Sequence, residues 1–285
     1  MPFPARNRFH HKFFAARFRL ESARASPSLD GVAQETSVMR ARLIQAAFVF
    51  VVSAQAALAQ TATAPDRLLD ALGLPQIVEI MRTEGLRSGE ELSRDLIMGG
   101  ALDQWQNDVD RIYNADAMER SVRAGFSEAV GDTDLGPLVA FFESDAGQRV
   151  IELELSAREA MIDPGVEEAA RERARDLDGS DDPRFALVSR FIAANDLVEA
   201  NVAGALNSNF AFYKGLTDGG AFEMSEADML ADVWGQEEET RSDTREWLYA
   251  FLLMAYGPLS DDDLESYIAL SSTPEGQAMN RALSP

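Results

Sequence analysis

The residue types that carry out most protein chemistry are scarce in this sequence. It has no cysteine and two histidines, His10 and His11, which lie in a basic stretch near the N-terminus. A chain without cysteine has no disulfide, thiol nucleophile or thiolate metal ligand. If that stretch is absent from the mature protein, as expected below, a Ser-His-Asp triad, a histidine zinc site and an imidazole acid-base group are also excluded.

One glutamate is followed by a serine in a helical context. Glu143-Ser144 is similar to the Glu-Ser pair of lytic transglycosylases, in which a carboxyl group of raised pKa protonates a glycosidic oxygen. Those enzymes also need a downstream Gly-Leu-Met-Gln segment and an aromatic saccharide-binding motif, and this sequence has neither. We interpret Ser144 as a helix cap and expect no catalytic residue here.

The acidic segment from Asp176 to Asp182 has the composition of a calcium loop. An EF-hand needs Gly at loop position 6 and Glu at position 12. Counted from Asp176, Gly179 is at position 4 and Leu187 at position 12, so the pattern fails. Residues 178–182 are therefore interpreted as a solvated acidic linker, and we expect no metal or other cofactor.

Residues 39–59 have the layout of a secretory signal peptide. Arg40 and Arg42 precede an apolar run from Leu43 to Val52, and Ala57-Leu58-Ala59 gives the small-x-small pattern before Gln60. This pattern predicts cleavage after Ala59 and a periplasmic or secreted protein. The apolar run is short for a membrane span, so we expect no stable span after cleavage.

The 38 residues before Met39 are basic and rich in phenylalanine. They resemble an Arg-rich organelle transit peptide, but a simpler interpretation is an overlong, disordered N-terminal extension ahead of a true start at Met39. Residues 1–59 hold eight basic and three acidic side chains, so the formal charge of −22 becomes −27 from residue 60 onward. A field of that sign repels phosphate backbones, and we expect no nucleic-acid partner.

The chain from residue 60 reads as helices throughout, with no period-2 strand pattern or hairpin signal. Ser88-Gly89-Glu90-Glu91 has the form of a capping box, and Thr273-Pro274-Glu275 that of a strong helix start. Two aromatic-rich stretches, 209–213 and 247–251, are interpreted as core, with a partner groove as the alternative. The predicted fold class is all-α.

Two stretches of the chain are similar to each other at an offset of 129. Residues 134–148 align with residues 263–277, and each copy has an apolar helix followed by a Ser/Thr cap and Gly-Gln. The six motif residues are Ser144, Gly147, Gln148, Thr273, Gly276 and Gln277. We expect both glycines to let the first helical turn approach a neighbouring helix closely. The repeat predicts a helical bundle of two related tandem halves, 60–177 and 183–285.

An apolar helix followed by Ser/Thr-x-x-Gly-Gln, repeated in a signal-bearing helical chain, resembles the bacterial secreted family called domain of unknown function 2059. The segment that carries the resemblance runs from Phe141 to Gln148, and the best-matched stretches are about 130–160 and 260–283. The resemblance implies an exported helical protein. Because the family has no assigned activity, it implies no catalytic residue.

The sequence therefore predicts an exported, acidic, all-helical protein without catalytic activity. We expect an interaction or structural module that binds a protein or a component of the cell envelope. Two alternatives remain open. One is a cell-envelope hydrolase that uses paired carboxylates, which would need two facing acids in a cleft. The other is a weak divalent-cation binder.

Overall fold

The folded chain consists of helices of 7 to 23 residues, most of which begin at a side-chain cap. The computed structural model describes residues 62–96, 102–220 and 223–284, and no strand occurs among them. The predicted extension 1–38 and signal peptide 39–59 lie outside the described residues. The first seven helices are α1 Ala64–Ala71, α2 Leu74–Leu96, α3 Leu102–Ile112, α4 Ala115–Val130, α5 Gly136–Phe142, α6 Asp145–Ala160 and α7 Pro164–Leu177. The next six are α8 Pro183–Ala194, α9 Leu197–Asp218, α10 Glu226–Gly235, α11 Glu237–Tyr256, α12 Asp261–Ser271 and α13 Pro274–Leu283. The predicted all-α fold class is confirmed.

Most helix starts have the side-chain cap that the sequence patterns indicate. A side-chain oxygen of the cap residue accepts a hydrogen bond from a backbone N–H of the first turn, which has no partner within the helix. The residues that cap in this way are Thr63, Asn114, Ser144, Asp163, Asp182, Ser225, Ser260 and Thr273. Acidic residues in the first turn of α12, Asp261 to Asp263, add favourable charge at the positive helix end.

The predicted capping box at Ser88 is wrong. Helix α2 runs through this position without a break, and Ser88 is buried within it. Gly89 instead gives space to α3, since a Cβ atom there would lie 2.6 Å from Cγ1 of Val109. The Nε1–H of Trp105 on α3 donates a hydrogen bond to the Gly89 carbonyl over 2.8 Å. The Ser-x-x-Glu spacing was present, but tertiary packing sets the role of this segment.

The helices of the first part of the chain pack in an order that recurs in the second part. Helix α1 packs on α4 and α5, and α2 packs on α3; likewise, α8 packs on α11 and α12, and α9 packs on α10. Each leading pair of helices is joined through a residue of positive φ, Gly73 at 73° and Asp196 at 50°. The order recurs between α1–α6 and α8–α13 and is consistent with the predicted tandem halves 60–177 and 183–285, the first of which also contains α7.

The last helix of each set packs on the other set. Helix α6 packs on α11, and α13 packs on α4 and α5. Helix α7, which precedes the segment 178–182, packs along α11. Residues 63–284 belong to one compact unit, so the two proposed halves share one body.

The shared core is centred on aromatic side chains from both sets. Tyr267 packs against Phe142 at 5.7 Å and Phe191 at 4.8 Å between ring centroids, and Phe191 packs against Tyr256 at 5.2 Å. All four rings are almost fully buried. A small second core joins α9 and α10 through Val202, Leu206 and Val233. Within the described residues, no helix is both long enough and apolar enough to cross a membrane.

Candidate functional site

The Ser/Thr residues of the repeated motif act as helix caps. The hydroxyl of Ser144 accepts a hydrogen bond from the Gly147 N–H over 3.2 Å and donates one to the Phe141 carbonyl over 2.6 Å. Thr273 makes the equivalent pair of bonds, with the Gly276 N–H at 3.0 Å and a carbonyl of α12 at 2.7 Å. Each hydroxyl thus connects the end of one helix to the start of the next.

The two motif glycines lie against the backbone of the preceding helix. A Cβ atom at Gly147 would be 2.1 Å from the Phe141 carbonyl oxygen, and one at Gly276 would be 2.2 Å from that of Leu270. Such distances are far below van der Waals contact, so no other residue fits without a backbone shift. The close approach is made to the last turn of the preceding helix.

The two motif glutamines tie these turns to a third helix. The Nε2 amide of Gln148 donates to the carbonyls of Phe142 at 2.6 Å and Ala71 at 3.0 Å. That of Gln277 donates to the Ser271 carbonyl at 2.9 Å and also to the Ala194 carbonyl. Ala71 and Ala194 are the last residues of α1 and α8. All six motif residues therefore hold helix ends together, and none of them lines a cavity described below.

Glu143 also has a structural partner. Its carboxylate pairs with Arg67 at 2.6 Å, and about half of each side chain is exposed. The acidic linker is partnered in the same way, because the Asp178 carboxylate accepts hydrogen bonds from Arg245 at 2.9 and 3.1 Å. No group of three or more Asp, Glu, His or Cys side chains within the described ranges is placed to hold a metal ion.

The structure places a candidate binding site elsewhere, at a cavity where α2, α6, α8, α9 and α11 meet. It has a volume of about 140 Å³ and is partly open to solvent. Most of its lining is hydrophobic, including Ile77, Met81, Ile151, Phe191, Trp247 and Phe251. We call it the α2–α11 cavity. Its walls come from both proposed halves, so neither half forms it alone.

Trp247 and Phe251 bring aromatic surface to the cavity because they lie one turn apart on α11. Their rings stack with centroids 5.2 Å apart. The guanidinium carbon of Arg158 lies 5.0 Å from the Trp247 ring centroid, within the range of a cation–π interaction. The aromatic stretch 247–251 thus contributes to the core as predicted, and it also lines the cavity.

An ion pair lies at the edge of the cavity. Arg158 Nη2 is 2.7 Å from Glu84 Oε2, and the exposed fractions of the two side chains are 17% and 18%. Burial raises the pKa of the Glu84 carboxyl, and the charge and hydrogen bond of Arg158 oppose that shift. Arg158 and Glu84 are 74 positions apart, so sequence patterns gave no signal that they meet.

Unlike Glu84, the Glu154 carboxylate belongs to a residue that lines the cavity. The Tyr256 hydroxyl donates a hydrogen bond to Glu154 Oε1 over 2.6 Å. Among the described residues that line the cavity, Glu154 is the one carboxylate. A mainly apolar surface with a few polar groups at its edge is typical of a binding pocket.

Comparison of the chain with known proteins gives a match to one protein family. Residues 116–176, which run from α4 into α7, match the model of a family described as an uncharacterized protein conserved in bacteria, DUF2059. This match includes the first Gly-Gln motif but not the second. No curated protein and no solved structure matches the chain. The resemblance that the sequence indicates is therefore confirmed over residues 116–176, where the chain is similar to the uncharacterized bacterial family DUF2059.

Proposed function

We propose that this protein is a non-catalytic binding module of the bacterial periplasm, or a secreted one. In this proposal, the α2–α11 cavity receives an apolar group from a protein or cell-envelope partner. The observation that carries the proposal is the composition of the cavity, with aliphatic and aromatic walls and few polar groups. Binding pockets commonly have this composition.

The alternative functions have less support from the described residues. A paired-carboxylate hydrolase needs two acids that face each other across a cleft. Glu154 is the one carboxylate in the lining described here, and it accepts a hydrogen bond from Tyr256. Glu84, at the edge, is paired with Arg158. A divalent-cation site would need a group of oxygen ligands, and no group of three or more acidic side chains is placed to form one in the part of the chain that the structure describes.

The proposed location rests on the sequence pattern of residues 39–59. A basic start, an apolar run and a small-x-small end support export and cleavage after Ala59. The strongly acidic chain from residue 60 supports a partner other than nucleic acid.

The cavity can be tested with small apolar probes. An engineered cavity of about 150 Å³ in another protein binds benzene, so toluene and indole are suitable probes for this one. We expect either probe to raise the melting temperature of the full chain, since a ligand that binds the folded state stabilises it. For toluene, which does not fluoresce like indole, we also expect a change in tryptophan emission, because Trp247, one of three tryptophans in the chain, lines the cavity.

A matched pair of variants assigns the effect to the cavity. Ile80→Trp adds bulk to a partly exposed wall of the cavity and should abolish stabilisation by both probes. Leu153→Trp adds the same bulk to a partly exposed residue of α6 outside the cavity lining and should leave stabilisation unchanged. Co-purified exported proteins should be lost with the first variant and kept with the second. Equal behaviour of the two variants would contradict the proposal.

A further inference from the structure

Helix α10 has two apolar stripes, and one of them faces solvent. Met229 and Val233 are buried, and Val233 belongs to the small core that α10 shares with α9. The second stripe is exposed along its whole length and consists of Ala227, Leu230, Ala231 and Trp234. These positions have the i, i+3, i+4, i+7 spacing that places side chains on one face of a helix. We call this face the α10 stripe.

The two large side chains of the α10 stripe lie one helical turn apart. Trp234 is 61% exposed, the highest value among the exposed large hydrophobic residues that the structure describes, and Leu230 is 41% exposed. The small side chains of Ala227 and Ala231 lie beside them. A helix face with alternating large and small side chains can accept the side chains of a second helix between its own. The α10 stripe therefore has the form of a helix-packing face, and no helix in the described part of the chain covers it.

The segment around the α10 stripe is acidic and has no basic residue. Residues 215–240 contain eight acidic side chains and no Lys or Arg. The basic residues at its two ends, Lys214 and Arg241, pair with Asp218 and Glu237. The other six acids form no ion pair within the described residues: Glu223, Glu226, Asp228, Asp232, Glu238 and Glu239. This surface therefore has negative charge that the described chain does not neutralise.

Three of these acids border the α10 stripe on the helix itself. At about 100° per residue, Asp228 and Asp232 lie on one side of the stripe and Glu226 on the other. All three side chains are exposed. Asp228 accepts a hydrogen bond from the Ser225 hydroxyl at 2.6 Å, and Asp232 accepts one from the Gln236 amide at 3.0 Å. A carboxylate has about four acceptor positions, so both retain capacity for a cation.

The sign of this charge discriminates between the possible occupants of the α10 stripe. A second copy of the chain would bring the same acids into contact with each other, and an anionic lipid surface would also be repelled. An uncharged helix would cover the apolar side chains but would leave the surrounding acids without counter-charges. A helix with an apolar face bordered by Lys or Arg fits both features, because interfaces combine an apolar centre with a charged rim of complementary sign.

We propose that the α10 stripe docks a basic amphipathic helix of a partner protein. The apolar side chains of that helix pack around Leu230 and Trp234, and its basic side chains lie opposite the acids on both sides of the stripe. Trp234 is the central contact, since tryptophan is enriched among the residues that contribute most to binding. No residue of α10 lines the α2–α11 cavity, so this surface does not depend on the function proposed for that cavity.

The test is a calorimetric titration of the full chain with three peptides of about 14 residues, or four helical turns. The first peptide has leucines on one helical face and lysines on the other, the second has the same residues in scrambled order, and the third has glutamate in place of every lysine. We expect the first to bind about tenfold or more tightly than the second, and the third not to bind. Added salt should weaken binding of the first peptide.

Two results of this titration would overturn the proposal. Equal affinity for the first two peptides would show that the chain responds to positive charge alone and not to an amphipathic helix. Equal affinity for the lysine and glutamate peptides would show that the acids around the α10 stripe do not select the partner.

Matched variants locate the binding surface. Leu230→Ser and Trp234→Ser should each weaken binding of the first peptide about tenfold or more. Leu102→Ser is the control, because Leu102 is 43% exposed and lies on α3. Glu226→Gln should weaken binding a few-fold, whereas Glu128→Gln, at an exposed and unpaired acid of α4, should not.

Because the substituted side chains are exposed, the variants should keep the fold, which circular dichroism checks. If one variant fails to fold, the others still decide the matter. Unchanged peptide binding in both Leu230→Ser and Trp234→Ser would overturn the proposal.

Further measurements separate the other occupants. A dimer of the full chain in sedimentation analysis that Trp234→Ser dissociates would make a second copy the occupant and overturn the proposal. Binding to anionic phosphatidylglycerol vesicles that Trp234→Ser abolishes would overturn it in favour of a lipid surface.

The variant Ile80→Trp distinguishes this surface from the α2–α11 cavity. It should leave peptide binding unchanged, and loss of peptide binding would overturn the proposal by placing the peptide in the cavity. If toluene and indole fail to bind while the first peptide binds as expected, the result contradicts the cavity proposal alone.

Discussion

Gly147 and Gly276 occupy first turns that have no space for even one methyl group. We expect Gly147→Ala and Gly276→Ala each to lower the free energy of unfolding by about 1–3 kcal/mol, because the added Cβ meets a backbone carbonyl and the helices must separate. Urea denaturation measures the change.

Gly125 provides the matched control for these two variants. It lies within α4, and a Cβ atom there would have no neighbour within 4 Å. Gly125→Ala should therefore stabilise the protein by about 0.5–1 kcal/mol through helix propensity. If all three variants unfold at the same urea concentration, the motif glycines do not mark a packing contact.

Glu84 should give the folded protein a pH dependence of definite sign. Burial raises the pKa of this carboxyl above its ordinary value of 4.5 in the folded state. Its contribution to the free energy of unfolding is therefore fully present below the pKa of the unfolded state and is lost as the pH rises through the pKa of the folded state. Relative to Glu84→Gln, the native protein should gain stability as the pH falls through that window. Paired urea denaturation curves at several pH values measure the difference.

Glu265 should show the opposite sign. The hydrogen bond from Arg190 lowers the pKa of the Glu265 carboxyl in the folded state. The contribution of Glu265 to the free energy of unfolding is therefore present above the pKa of the unfolded state and is lost as the pH falls through the pKa of the folded state. The same comparison with Glu265→Gln is the control. If the stability difference changed with pH in the same direction for Glu84→Gln and for Glu265→Gln, Glu84 would not be the desolvated carboxyl.

At the scale of elements, α7 is held to α11 by a buried arginine. The side chain of Arg171 is 6% exposed and contacts Glu167 at 2.9 Å, Asp243 at 3.1 Å and Glu246 at 3.1 Å. Arg171→Met should lower the free energy of unfolding by about 2–4 kcal/mol, because it removes a buried cation from three partly buried carboxylates. Arg149→Met removes an exposed pair with Glu152 and should cost less than about 0.5 kcal/mol. Thermal denaturation of both variants checks the contrast.

Helix boundaries show where local signals were sufficient. Ser260 and Thr273 cap α12 and α13 at the positions that their sequence patterns indicate. Helix α11 instead begins at Glu237 without a side-chain cap. Its first turn is Glu237-Glu238-Glu239, and three acids at the positive helix end stabilise this start. Gln236 joins α10 directly to α11, so no loop separates them.

At the scale of the whole molecule, packing of α6 on α11 and of α13 on α4 interlocks the chain. A protease site inserted at Ser180, in the exposed segment between α7 and α8, should allow the chain to be cut without separating its two parts. Gel filtration after the cut should show one particle, and urea should unfold it in one transition. Two separate particles would show that the parts do not depend on each other.

The proposed export has a direct test on the same scale. The mature protein should begin at Gln60, because residues 39–59 have the order of a cleaved signal peptide. Intact mass and N-terminal sequencing of protein recovered outside the cytoplasm measure the start. A recovered chain that retains residues 1–38 would contradict both the signal peptide and the charge of −27 derived from its removal.

Local sequence determined the parts of this protein that depend on neighbouring residues. Caps such as Ser144, proline in first turns and the absence of strand patterns were enough to predict an all-α chain, because these effects act within one helical turn. Tertiary structure decided the features that depend on contacts between helices far apart in sequence. Ser88 lies inside α2 because α3 packs at Gly89, and Arg158 meets Glu84 and Trp247 because three distant helices converge. The α2–α11 cavity lies between helices far apart in sequence, and a helical pattern records which face is apolar but not which helix will cover it.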